Sequence, residues 1–97
     1  MIHELKTWPR FFNAVLNGSK PFEVRRNDRD FKTGDELHLY EWDKDWENYT
    51  GRRIKATVSF VLDETFPGLA QGFVVLGLQG IEQMKDGYPE PKSPWER

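Results

Sequence analysis

Ninety-seven residues, 37% hydrophobic and 31% charged, describe one polar-surfaced globular domain, too short for two cores. The absence of cysteine excludes disulfides and thiolate chemistry and fits a reducing cytoplasm, and no apolar run approaches the roughly 18 residues of a membrane span. A formal charge of −2 argues against indiscriminate nucleic-acid binding through a basic field, but it leaves room for a local basic site.

Residues 2 to 6 read as a first strand, without the basic start and apolar stretch of a signal peptide. Thr7 is the expected helix N-cap, with Trp8 and Pro9 opening the helix. Trp8, Phe11, Phe12, Val15 and Leu16 recur at helical spacing and mark one apolar face about ten residues long. Asn17-Gly18 ends it, with Gly18 in the left-handed C′ position. Residues 21 to 26 form the next strand, with Phe22 and Val24 expected to point into the core and Glu23 and Arg25 away from it. Turns follow at Asn27–Asp30 and Lys32–Asp35. Residues 36 to 42 alternate, with Leu37 and Leu39 on one face and His38, Tyr40 and Trp42 on the other. Asp43 to Gly51 reads as a long, acidic hairpin loop.

The next strand turns Ile54, Ala56, Val58, Phe60 and Leu62 inward and Arg53, Lys55, Thr57 and Ser59 outward. Asp63 to Gly72 is a loop. Phe73–Leu76 is a continuous apolar run, expected to be a strand buried on both sides. Residues 81–97 are punctuated by glycine and proline and read as a poorly ordered tail to a domain spanning 1–80. One helix with five or six strands in β-α-β-β-β-β order predicts an α+β, mainly β fold. The helix would plug the end of a small barrel, whose closure hides strand edges.

The chemistry concentrates in Gly18-Ser19-Lys20-Pro21-Phe22-Glu23-Val24-Arg25, where helix gives way to strand. Lys20, Glu23 and Arg25 form a charged constellation on a rigid element, either a recognition site or an ordinary surface ion pair. Basic residues gather at Lys20–Lys32 and again at Arg52, Arg53 and Lys55. If both groups border one cleft they would hold a phosphate; otherwise they are solubilising surface charge. Tyr40, Trp42, Trp46 and Tyr49 would stack on bases or pack across the hairpin. Glu41, Asp43, Asp45 and Glu47 read as a solvated acidic loop rather than a glycosidase pair. His3 and His38 alone give no metal-ligand spacing, the serines sit in no nucleophile elbow, and Gly18-Ser19-Lys20 lacks the rest of a P-loop. No metal and no cofactor are expected.

The spacing Gly18-x-Lys20-x-x-Glu23-x-Arg25 resembles the signature of the ASCH domains, a branch of the PUA-like superfamily. With His3–Thr7, the aromatic helix, Arg26–Arg29, Phe31–Asp35 and the late apolar strand, the likeness covers residues 2 to about 79. These features look like a small ASCH-like subfamily common in phages and prophages and of unknown function. The resemblance implies a PUA-like β-barrel with a cleft floored by the motif, and RNA binding. One ASCH branch hydrolyses the acetyl amide of N4-acetylcytidine, and some members cut RNA. In the amidohydrolase branch a catalytic threonine matches Glu23, so this chain departs from that pattern. That branch's later acid would fall at Asp63 or Glu64.

The expected function is therefore binding of RNA or of a modified nucleoside or nucleotide. Lys20, Glu23, Arg25, Arg26, His3 and Arg53 would make the contacts. Arg25 would offer its fork to a phosphate, Glu23 would hold the cations, and His3 would complete the rim. The alternative is a small hydrolase acting on acetylated cytidine or RNA through Lys20 and Glu23. A third reading is an adaptor whose loop, residues 41 to 50, meets a protein partner. The chain is expected to be a cytoplasmic monomer.

Overall fold

The computed structural model describes residues 1–84. Its elements are β1 (Ile2–Thr7), α1 (Pro9–Leu16), β2 (Phe22–Arg26), β3 (Glu36–Asp43), β4 (Asn48–Leu62) and β5 (Phe73–Met84). The strands form one curled sheet, a half-barrel in the order β1-β3-β4-β5-β2, with β1 and β3 parallel and every other pair antiparallel. The fold is α+β and mainly β. Among the described residues no helix is long and apolar enough to cross a membrane.

The concave face of the sheet carries Leu5, Leu37, Leu39, Ile54, Ala56, Val58, Val74 and Leu76, all fully buried. Phe12 and Val15 of α1 close over them, and Phe31 seals the loop end. The helix starts one residue later than the sequence suggests. Trp8 is its N-cap with no side-chain cap, and Thr7 belongs to β1. Only half the helical apolar face enters the core: Trp8 stays 47% exposed and Phe11 37%.

The sheet does not close by a hydrogen-bonded ladder. β1 and β2 remain as its two edges. Carbonyls two apart on a strand point to the same side, and on β1 those of Glu4 and Lys6 each take an arginine from across the gap. Arg29 Nη1 donates to Glu4 O at 3.1 Å, and Arg25 Nη2 donates to Lys6 O at 2.8 Å. Arginine side chains thus span the seam that a closed barrel would pair with backbone.

Three strand readings change. Phe22 and Val24 face outward, 39% and 50% exposed, whereas Glu23 is 3% exposed. The register explains why: Glu23 sits opposite Leu76 and Arg25 opposite Val74, and both partners point into the core. On β4 a bulge between Val58 and Phe60 inserts one residue and reverses the alternation. Phe60 therefore lies 62% exposed, and Val61 takes the inward place. Gly77 admits that bulge, since a Cβ there would meet Ser59 Oγ at 2.7 Å. β5 alternates, with Val74, Leu76 and Leu78 buried and Val75 half-buried, so it is not covered on both sides. It also continues to Met84, which brings residues 81–84 of the expected tail into the sheet. The rest of that tail, 85–97, lies outside the described residues. The expected long hairpin loop is a short turn between Asp43 and Asn48.

Candidate functional site

Gly18 begins the site. Its φ of 87° lies in the left-handed region that a glycine adopts without strain, and it turns the chain back on the helix. Lys20 N then donates to Ala14 O at 2.9 Å, which fixes the lysine backbone against the last helical turn. Leu78 N donates to Pro21 O at 3.0 Å and starts the β2–β5 pairing.

Glu23 is the pivot. Lys20 Nζ donates to its Oε1 at 2.9 Å, and Arg25 reaches its Oε2 with Nε at 2.9 Å and Nη2 at 2.8 Å. Lys20 Nζ also donates to Phe22 O at 2.8 Å. Arg25 Nη2 lies 3.1 Å from Thr7 Oγ1 as well as on Lys6 O, so its plane is held from both strands. A carboxylate this buried stands only when paired, and the two cations supply the pairing.

These groups floor a cleft of about 610 Å³ along the seam between β1 and β2. Lys6 and Thr7 of β1, Trp8 and Phe11, Val24 and Arg26 of β2, Trp42 and Phe73 also line it. Trp8 and Phe11 lie nearly parallel with centroids 6.2 Å apart, and Lys6 Nζ sits 4.2 Å over Trp42. Arg26 rests its guanidinium 5.2 Å over Phe73. Four cations and one carboxylate line the cleft, three positive charges in excess on a chain whose total is −2.

Lys20, Glu23, Arg25 and Arg26 are therefore brought together as the sequence suggests. His3 and Arg53 are not. His3 is 4% exposed at the other end of β1, where Nε2 lies 2.8 Å from Asp35 Oδ2 and the ring packs on Phe31 at 4.7 Å. That hydrogen bond holds the Asp35 carboxyl below its ordinary value. Arg53, 7% exposed, donates to Tyr40 Oη at 2.8 Å, and Tyr40 donates to Glu4 at 3.1 Å; burial pushes the phenol up. Arg52 turns to Glu41 and Lys55 toward Glu82, so the second basic group does not border the cleft. Asp63 and Glu64 are exposed and spent locally, Asp63 on Thr65 N at 3.0 Å and Glu64 on Gly72 N at 3.1 Å.

Glu41 is no part of a solvated loop. It is 3% exposed and accepts from Arg52 Nε and Nη2, each at 2.8 Å, and from Thr50. The aromatic residues of the hairpin pack across it, Trp42 edge-on to Tyr49 at 4.9 Å, while Trp46 is 82% exposed. Among the described residues no group of three or more His, Cys, Asp or Glu side chains is placed to hold a metal ion.

The cleft residues that sequence reasoning missed are Lys6, Thr7, Trp8, Phe11, Val24 and Phe73. For Trp8 and Phe11 the signal was an apolar arc wider than an eight-residue helix needs to dock by Phe12 and Val15 alone.

An uncharacterised 12.9 kDa protein in the GpA 3′ region of Escherichia phage P2 is 40% identical to this chain over 62 residues. The match covers 64% of this chain and 55% of the phage protein, so the chain spans little more than half of that relative's length. Residues 2–78 match the family described as "Domain of unknown function (DUF3850)", and the chain belongs to that family.

Proposed function

We propose that the cleft binds RNA or a modified nucleoside, and that this family is an ASCH-like branch of the PUA-like superfamily. The observation that carries the reading is one concavity with cations on its floor and exposed aromatic rings on its wall. Rings stack on bases of any sequence, and ammonium or guanidinium groups meet phosphate or carbonyl oxygens. The volume lies within the range of small-ligand sites. Lys20, Glu23 and Arg25 of the Gly18-x-Lys20-x-x-Glu23-x-Arg25 motif line the same cleft, which supports the ASCH-like assignment.

Binding stands ahead of hydrolysis because Glu23 stands where the amidohydrolase branch has its catalytic threonine, and its carboxylate is held in place by Lys20 and Arg25. The test is an NMR titration of the labelled protein with a short single-stranded RNA pool and with N4-acetylcytidine, following the ligands in the same tube. Shifts confined to residues 6–11 and 20–26, with ligands intact, are the expected result. Release of cytidine and acetate, or of RNA fragments, would make the protein a hydrolase. Absence of any shift in those residues would remove the cleft from consideration.

A further inference from the structure

Building on that reading, we infer that the ligand is a single nucleotide carrying a terminal phosphate monoester, not an internal stretch of polynucleotide. A lysine ammonium has three N–H groups. Phe22 O and Glu23 take two of those on Lys20, and no acceptor among the described residues takes the third. Arg26 is exposed, lies on the Phe73 ring, and makes no ion pair among the described residues. Both groups line the cleft, and each offers charge-assisted donors to an anion there. Glu23 and the β1 backbone hold Arg25 behind them, adding charge without having to move.

The second step is that the positive charge ends where the cleft ends. The adjoining hollow shares Trp8 and Phe11 with it, but there Arg10 and Lys44 are balanced by Asp43 and Asp45. Along the seam in the other direction Arg29 is turned onto Glu4 O and lies between Asp28 and Asp30 in the chain. Lys32 pairs with Asp30 at 3.2 Å, and Arg52 with Glu41. A protein that tracks a polynucleotide needs a cationic groove several nucleotides long. Here the excess charge covers one cavity of about 610 Å³, room for one base on the Trp8–Phe11 wall and one phosphate at Lys20 and Arg26.

The shared chemistry is a nucleotide with a terminal phosphate, supplied free or as the 5′ end of a strand. Calorimetry on the full chain would compare uridine and cytidine, their 5′-monophosphates, and oligouridylates of two and ten nucleotides with and without a 5′-phosphate. The monophosphates are expected to bind about tenfold or more tightly than the nucleosides. Lengthening the phosphorylated strand should bring no gain, and salt dependence should be shallow, as for one or two phosphate contacts. Equal affinity of phosphorylated dinucleotide and mononucleotide would identify a strand end, and binding of the mononucleotide alone a free nucleotide. Arg26→Ala, at an exposed position, should erase the preference for phosphate without unfolding the chain, and Lys20→Ala should do the same. Affinity that climbs with length irrespective of the 5′ group, or nucleosides binding as well as their monophosphates, would overturn the inference and leave a nucleic-acid or nucleoside cleft standing. Failure of every probe to bind would overturn both readings.

Discussion

Glu23 and Glu41 are each 3% exposed and each grips an arginine through charge-assisted hydrogen bonds, yet they sit in different kinds of place. The Glu23 cations look into a cleft. The Arg52 that serves Glu41 packs 4.7 Å over the Phe12 ring and donates to Asn13 Oδ1 at 2.6 Å, tying α1 to the hairpin. Burial and ion pairing alone therefore do not separate a candidate site from a strut. What separates them is where the cation leads next: to open space beside aromatic rings in one case, and back onto the helix in the other.

Removing the pivots should break this comparison most sharply. Glu23→Ala would leave Lys20 and Arg25 facing each other across the cleft floor without a counter-ion. Loss of one partner of a buried pair costs about 3–5 kcal/mol, and the cleft can rehydrate the two cations, so about 3 kcal/mol is expected. Thermal melting should show a fall of more than about 10 °C in a domain this size, with ligand binding lost as well. Glu41→Ala should cost about 2 kcal/mol, less because the Arg52 side chain is 35% exposed and can turn to water. Its distinguishing feature is unaltered ligand affinity once corrected for the folded fraction.

The same pair predicts a pH signature. The Arg52 guanidinium holds the Glu41 carboxyl below its ordinary value, with the Thr50 hydroxyl helping and burial opposing. A folded value below the unfolded one means the stabilisation is complete above the unfolded value and is lost as pH falls through the folded one. Urea unfolding of the wild type should therefore weaken as pH drops below about 4.5, and Glu41→Gln should flatten part of that slope. Asp35, held low by His3, contributes in the same direction, so a residual slope is expected in the variant.

Arg25 sharpens the contrast between site and strut because it belongs to both. The sequence casts it as a ligand contact that offers its fork to a phosphate. Its bonds to Lys6 O and Thr7 add a structural role across the seam. Arg25→Ala should lose binding and also about 2 kcal/mol of stability, with faster hydrogen exchange concentrated on β1 and β2. Lys20→Ala should lose the phosphate-dependent part of binding with stability changed by less than about 1 kcal/mol, since Arg25 still neutralises Glu23.

These differences also show what could be read in the chain. Helical and strand periods placed all six elements, since apolar spacing reports local geometry directly. The facing of β2 was misread because Phe22 and Val24 look like core residues and Glu23 and Arg25 do not. In a half-barrel with an open seam, the inner face of an edge strand borders a cleft, and charge is tolerated there when it is paired. Glu41 was legible in principle: alternation from Leu37 and Leu39 points it inward, but the neighbouring acids suggested a solvated loop. The inward turn of Val61 was not legible, because one bulge residue reverses strand parity without a mark of its own beyond Gly77 on the facing strand. The arginines across the seam were hidden for a related reason. Their acceptors are backbone carbonyls, which every residue has.

The smallest expected effect falls on the residue that looks most conspicuous. Trp46 stands 82% exposed at the tip of the β3–β4 turn, next to a positive-φ Glu47. The Asp43 carboxylate receives the backbone N–H groups of Asp45 and Trp46 and holds the turn without help from the indole. Trp46→Ala should therefore change stability by less than about 0.5 kcal/mol and leave nucleotide binding intact. A loss of binding would extend the ligand site beyond the cleft, past Asp43 and Asp45. A loss of stability would mean that the indole packs on the sheet in solution. If neither changes, the indole serves neither the fold nor the cleft, as is ordinary for a single exposed apolar ring.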